Sequence, residues 1–113
     1  LGDAVYEMVI RTICVKRANM QTQKLHRKVT GYVSAKAQAK MMDALIGELT
    51  EEEESIYRRG RNSKPYTKAK NASMEEYLKA TGFEALVGYL YLQKEYERMN
   101  ALIAHGIEAL QEK

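Results

Sequence analysis

The chain has 113 residues, of which 45% are apolar and 29% are charged, and its net charge is +3. This length is enough for one domain with one hydrophobic core, and the composition excludes a disordered chain. No apolar run approaches the roughly 20 residues that cross a bilayer, and the single cysteine, Cys14, excludes an internal disulfide, so we predict a soluble, cytoplasmic protein with no membrane partner.

The first segment has apolar residues at helical spacing on nearly every side. One stripe consists of Leu1, Val5, Met8, Val9, Thr12 and Ile13. The other side carries Tyr6, Ile10 and Cys14 beside two acids. A helix that is apolar nearly all round is usually buried on several sides, so we predict that this helix is central or is covered by a partner chain. Because the chain begins at Leu1 rather than at Met, we also expect that residues preceding Leu1 are missing.

Residues 21–48 show helical periodicity, with a predicted break near Gly31. The lysines of this segment, Lys36 among them, lie mostly away from its apolar stripe. Thr50 and Glu53 then have the spacing of a capping box, which predicts the start of a short helix. We place the end of that helix at Gly60, since glycine suits a left-handed C-cap.

The stretch 55–74 contains no acidic residue but six basic ones: Arg58, Arg59, Arg61, Lys64, Lys68 and Lys70. Residues 61–72 also hold the only proline, which predicts a loop. A basic block of this kind repels itself unless an anion lies on it. A solvated loop is the commoner explanation for a charge run, and both interpretations are open at this point.

Two further helices complete the predicted fold. Ser73 and Glu76 form a second capping box, which opens a helix running to about Gln93. The last helix begins near Glu95, and one of its faces carries Tyr96, Met99, Ile103, Gly106, Ile107 and Leu110. No segment alternates with period two, so we predict an all-α fold with a single domain over residues 1–113.

Glu84 is the only charge in the apolar run 82–92, and Asp3 has similar surroundings in the first helix. An ionised carboxylate in such a place is normally paired, protonated or bound to a cation. Gly82 and Gly88 each weaken the helix by about 1 kcal/mol relative to Ala, and their usual benefit is close backbone approach. We predict that the first helix packs at Gly88 and brings Asp3 towards Glu84. A structural ion pair and a magnesium site remain equally open.

Four motifs resemble the ribonuclease III family, in order along essentially the whole chain. Residues 1–7, LGDAVYE, resemble the latter part of the signature helix, and residues 81–88, TGFEALVG, resemble the second acidic motif. The segments 33–39, VSAKAQA, and 58–62, RRGRN, resemble the Mini-ribonuclease III subfamily. The resemblance implies a ribonuclease III-type helical domain without the double-stranded-RNA-binding domain of larger members.

The resemblance also implies an activity. Members are homodimers whose two active sites line one valley for double-stranded RNA, and Mg²⁺, with Mn²⁺ as a substitute, supports hydrolysis to 5′-phosphate and 3′-hydroxyl ends. The subfamily is associated with maturation of the large-subunit ribosomal RNA precursor. Asp3 matches the signature aspartate and Glu84 the glutamate of the second motif, so both are the expected catalytic residues and metal ligands.

The chain departs from the family pattern at one position that can be assessed. Thr81 occupies the place of an aspartate three residues before Glu84. This departure predicts a metal site with fewer protein ligands, in which water takes the place of the missing ones. Glu7, one turn from Asp3, is expected to be structural. His26 and His105 have no second N or S ligand nearby, and Tyr89, Tyr91 and Tyr96 are more typical of a core than of a stacking platform.

Without an appended RNA-binding domain, the chain must supply its own phosphate contacts. Our main candidates are Arg59, Arg61 and Asn62, followed by Lys36 and Gln38. Two alternatives remain: a non-catalytic ribonuclease-III-like module that binds structured RNA, and a structural helical dimerisation protein. Asp3 and Glu84 argue against the first, and the second leaves two acids in apolar runs unexplained.

Overall fold

A computed structural model describes residues 1–17, 31–63 and 73–111. These residues form five α-helices and a 3₁₀ turn: α1 (Gly2–Arg17), α2 (Ala35–Leu45), the turn Ile46–Glu48, α3 (Glu51–Asn62), α4 (Met74–Leu92) and α5 (Tyr96–Gln111). Within these ranges there is no strand, and the predicted all-α fold is confirmed. None of the described helices is long and apolar enough to cross a membrane.

The predicted starts of α3 and α4 are confirmed, because both depend on local side-chain chemistry. The Thr50 hydroxyl accepts from the Glu53 N–H at 3.1 Å, and the Glu53 carboxylate accepts from the Thr50 N–H at 2.9 Å. Ser73 and Glu76 repeat the arrangement at α4. The break predicted near Gly31 lies at Ser34, whose hydroxyl caps α2. Much of the segment 21–48 lies outside the described residues.

The predicted end of α3 at Gly60 is wrong, since the helix continues to Asn62 and is capped by Ser63. Gly60 has a packing role instead. A Cβ built on it would overlap the Ala85 side chain and would lie 3.4 Å from the Gly82 Cα, so the glycine lets α3 cross closely over α4. As a result Arg61 and Asn62 belong to a helix and not to the predicted loop. The rest of that loop, 64–72, lies outside the described residues.

α4 is the central helix and contacts each of the other four. Its apolar run 82–92 is accordingly buried on several sides, with Phe83, Leu86 and Leu90 nearly inaccessible to solvent. The edge of the Tyr6 ring packs against Phe83 at a centroid distance of 5.2 Å, which anchors α1 on α4. Of the two alternatives predicted for α1, a central place within the chain is therefore not the one observed, and cover by a partner chain stays a prediction.

Arg98 of α5 fastens the start of α3. Its guanidinium donates to both carboxylate oxygens of Glu53, at 2.8 and 2.9 Å, and to the Glu48 carbonyl at 2.9 Å. The hydrogen bond from Arg98 lowers the pKa of the Glu53 carboxyl, which is otherwise raised by burial. This clamp, together with the Gly60 contact, holds α3 beside α4.

Candidate active site

A cleft of about 430 Å³ opens between the start of α1 and the end of α3, with α4 as its floor. Leu1 and Gly2 border it on one side, and Gly60 and Ser63 on the other. The floor consists largely of small side chains, namely Thr81, Ala85 and Gly88, beside the carboxylate of Glu84. The cleft therefore exists because two helix ends rest on a part of α4 that lacks bulky groups.

Two glycines set the depth of this cleft by letting the backbones of α1 and α4 touch. A Cβ built on Gly88 would lie 3.3 Å from the Gly2 nitrogen and 3.4 Å from its Cα. A Cβ built on Gly2 would overlap the carbonyl oxygen of Glu84. The prediction that α1 packs at Gly88 is thus confirmed.

The two acids predicted to be catalytic lie on the two helices whose backbones touch at Gly2 and Gly88. Glu84 is half-buried and lines the cleft. Asp3 directly follows Gly2, so its Cα lies about 3.8 Å from the Gly2 Cα, and its side chain is exposed. A carboxylate in the first turn also suits the positive end of the α1 dipole. Their catalytic role remains a prediction.

Thr81 lines the cleft one turn before Glu84 but offers no charge. Its hydroxyl donates to the Tyr77 carbonyl at 2.9 Å, within its own helix. Glu7 forms an ion pair with Arg11 at 3.0 Å, as its expected structural role requires. Among the described residues no group of three or more His, Cys, Asp or Glu side chains could hold a metal ion, so Asp3 and Glu84 are the two candidate ligands that this part of the chain offers.

Tyr89 forms the wall of the cleft on the α3 side. It is half-buried rather than a core residue, and its hydroxyl donates a hydrogen bond to the Glu52 carboxylate. This bond is the main cause of a raised pKa of the Tyr89 phenol, and the positive charge of Arg59 acts in the opposite direction. Sequence periodicity missed this residue because nothing local links Tyr89 to Glu52, 37 positions away.

The expected RNA-binding residues of α3 lie on different sides of the helix. Arg59 and Asn62 are exposed and, with Ser55 and Arg58, border a shallow groove of about 470 Å³. Arg61 is rotated by about 200° from Arg59. Its guanidinium lies 5.9 Å from the centre of the Tyr57 ring, and its Nε donates to Asn62 at 3.4 Å.

The two expected contacts on α2 also differ. Lys36 is exposed, as a phosphate ligand must be. Gln38 is only 2% exposed, and its amide nitrogen donates to the Val33 carbonyl at 2.9 Å. Its side chain therefore points into the protein, where it cannot reach an RNA backbone, and Gln38 has no place in the interface.

The histidines and the other tyrosines add little to the site. His105 is exposed and contacts Glu48 at 2.7 Å, as expected of a surface histidine, and His26 lies outside the described residues. Tyr91 is half-buried and its ring packs on that of Tyr96, which is 45% exposed.

Comparisons with known proteins point in one direction. The family described as "Ribonuclease III domain" matches residues 1–95. The chain is 53% identical to "Mini-ribonuclease 3" of Enterococcus faecalis over 91% of its length and 80% of that protein's, and 46% identical to the Streptococcus pneumoniae protein of the same name, over 97% and 88%. A crystal structure of a Fusobacterium nucleatum protein, 31% identical, superposes with a TM-score of 0.85 and covers 96% of this chain and 86% of that one.

Proposed function

We propose that this endoribonuclease, which belongs to the ribonuclease III family, uses Mg²⁺ to hydrolyse phosphodiester bonds in double-stranded RNA, with Asp3 and Glu84 as its catalytic acids. The products are 5′-phosphate and 3′-hydroxyl ends, and the biological substrate is the large-subunit ribosomal RNA precursor. Residues 1–113 form one catalytic domain in this proposal, and Mn²⁺ can replace Mg²⁺.

The observation that carries the proposal is the backbone contact between Gly2 and Gly88. It brings the start of α1 against the turn of α4 that bears Glu84, so Asp3, the residue after Gly2, lies next to the cleft that Glu84 lines. Gly88, in the interior of α4, weakens that helix by about 1 kcal/mol relative to Ala, and a purely structural ion pair does not need so close an approach.

The carboxylates present fit a magnesium ion. Mg²⁺ prefers oxygen ligands and is often held by one or two carboxylates, with water and substrate phosphate completing the octahedron. Asp3 and Glu84 would be those ligands, and Thr81 leaves room for water in the same cleft. A bound metal supplies an activated water and stabilises charge on the phosphoryl oxygens. The protein's own part is to place its two acids and the RNA backbone at one position.

Phosphate contacts are assigned to the exposed basic residues near the cleft. Arg59 lies on the same side of α3 as the cleft wall, since its charge acts on the Tyr89 phenol, and Asn62 continues that exposed surface. Lys36 is a more distant candidate on α2. Arg61 stands on the other side of α3 against Tyr57, so we expect a weaker contribution from it.

A second copy of the chain is the proposed partner of α1. Leu1 and Met8 are 67% and 58% exposed, and at helical spacing with the exposed Ala4 they form an apolar strip along the start of α1. Burying such side chains stabilises an interface by roughly 25 cal/mol per Å² of apolar surface. The homodimer thus covers the face that a single chain leaves exposed.

The decisive experiment is an RNA cleavage gel with added Mg²⁺ and with EDTA. A perfect RNA duplex should be cut only with the metal, and single-stranded RNA and a DNA duplex of the same sequence should resist cleavage. A chain that binds the duplex but cuts nothing with either Mg²⁺ or Mn²⁺ is a non-catalytic binding module, and that result would refute the proposal.

A further inference from the structure

The cleft wall holds a tyrosine, Tyr89, for which the proposed hydrolysis has no use. Tyr89 lies five residues after Glu84 on α4, about 7.5 Å further along the helix axis, and both side chains line the same cleft. The Tyr89 hydroxyl is bound by Glu52 of α3. Tyr89 therefore borders the position next to the phosphate that the proposed function places at Glu84, and not that phosphate itself.

The direction of the hydrogen bond determines what this pair can bind. A phenol has one hydrogen to donate, and Tyr89 gives it to Glu52. An ionised carboxylate only accepts. The same bond raises the pKa of the Tyr89 phenol, so the proton remains in place at neutral pH. The oxygen lone pairs of the Tyr89 hydroxyl, and those of the Glu52 carboxylate that Tyr89 does not use, can therefore only accept hydrogen bonds.

An acceptor pair cannot bind a phosphate oxygen, which is itself an acceptor. The RNA backbone offers a single kind of donor, the ribose 2′-hydroxyl, and DNA has none at that position. Arg59 follows Glu52 by seven residues, nearly two turns, and so lies on the same face of α3. Its positive charge offsets the repulsion between the Glu52 carboxylate and an approaching polyanion.

We propose that Tyr89, held by Glu52, accepts a hydrogen bond from the 2′-hydroxyl of a nucleotide beside the scissile phosphate and helps the enzyme to select RNA over DNA. The inference rests on the proposed function, because it takes the phosphate to lie at Glu84. Tyr89 and Glu52 then act in substrate selection, while Asp3 and Glu84 act on the phosphate.

The test uses duplexes that carry one 2′-deoxynucleotide at each position around the cleavage site. For the unaltered protein, we expect kcat/KM to fall about fivefold to tenfold at one such position, which is the value of one hydrogen bond. Tyr89→Phe should lower kcat/KM on the all-RNA duplex by a similar factor and should show no further loss with the deoxy duplex. Tyr91→Phe is the matched control, since Tyr91 lies on the same helix but packs on Tyr96.

Glu52→Gln provides a second variant that does not alter the aromatic ring. The glutamine amide can either donate a hydrogen bond to the Tyr89 hydroxyl or accept one from it. Tyr89 is then no longer held as an acceptor for the 2′-hydroxyl, and the loss of kcat/KM with the deoxy duplex should become smaller. This variant also decides the matter if Tyr89→Phe does not fold, which a thermal melt will show.

Two results would overturn the inference. One is an unchanged deoxy penalty in folded Tyr89→Phe and Glu52→Gln proteins. The other is a deoxy penalty that persists in these variants while they lose the ability of the unaltered protein to distinguish guanine from inosine in the duplex. Tyr89 would then accept a hydrogen bond from the amino group of a base and not from a 2′-hydroxyl. If the unaltered protein cuts no duplex at all, the proposed function fails, and the same deoxy series measured by duplex binding still decides whether the acceptor site exists.

Discussion

At the scale of single residues, the charge of Glu84 is expected to matter more than its shape. Glu84→Gln keeps the side-chain volume but removes a charged metal ligand, so cleavage should fall by at least a hundredfold. Asp3→Asn should behave alike, and the double variant should be little worse than either one, as expected of groups that act as a unit. Cleavage rates and thermal melts on the same preparations measure both effects.

The effect of Glu84→Gln on stability distinguishes a metal ligand from half of a structural ion pair. If Glu84 serves the metal and not the fold, its amide should leave the melting temperature nearly unchanged. A buried structural ion pair would lose about 3–5 kcal/mol of stability instead. Full activity in a well-folded Glu84→Gln protein would remove Glu84 from the active site.

The two arginines of α3 should respond differently to truncation. Arg59→Ala removes an exposed charge on the cleft side, so duplex affinity should fall and the slope of log K against log salt should decrease by about one. Arg61→Ala should change that slope less, and it should lower stability by about 0.5–1 kcal/mol through the lost contact with Tyr57. Titrations of both variants with duplex RNA at several salt concentrations measure the two slopes. Equal slopes for Arg59→Ala and Arg61→Ala would contradict the assignment of the main phosphate contact to Arg59.

Asp3 and Glu84 could be proposed as site residues from the sequence because a carboxylate in an apolar run is locally conspicuous. Gln38 and Tyr89 could not. Whether Gln38 points outward depends on how α2 packs on α4 and α5, and the partner of Tyr89 is 37 residues away. A polar side chain near a basic segment looks the same in sequence whether it binds a ligand or supports the backbone.

At the scale of helices, the contact between α1 and α4 is expected to control activity more than stability. Gly88→Ala should improve helix propensity by about 1 kcal/mol, but its Cβ meets the Gly2 backbone at 3.3–3.4 Å and pushes α1 away. We expect a fall in kcat of tenfold or more with a change in unfolding free energy within about 1 kcal/mol. Gly47→Ala, whose Cβ meets nothing within 4 Å, is the control.

Helix starts were predictable and one helix end was not, for a physical reason. A capping box is closed between residues three apart, so Thr50–Glu53 and Ser73–Glu76 carry the whole signal in the sequence. A glycine after basic residues has two meanings, a left-handed C-cap or a close helix crossing. Gly60 has the second, and only its neighbour Ala85 on another helix reveals this.

At the scale of the whole molecule, the exposed strip on α1 predicts self-association. Sedimentation at micromolar concentration should give about twice 12.9 kDa. Met8→Glu places a charge in that strip and should yield a folded monomer, while Met74→Glu, at an exposed methionine on α4, should remain dimeric. A monomer at that concentration in the unaltered protein would contradict the homodimer.

The way in which α3 is held has a consequence for heat sensitivity. Only Glu53 and Tyr57 of its twelve residues are buried, and the hydrogen bonds that hold its start come from two side chains, Arg98 and Tyr89, so opening α3 alone should need less free energy than unfolding the whole domain. On warming, cleavage should therefore fade while circular dichroism still reports a folded helical protein. Amide hydrogen exchange should be faster in α3 than in α4; equal rates would mean that the wall of the cleft melts only with the core.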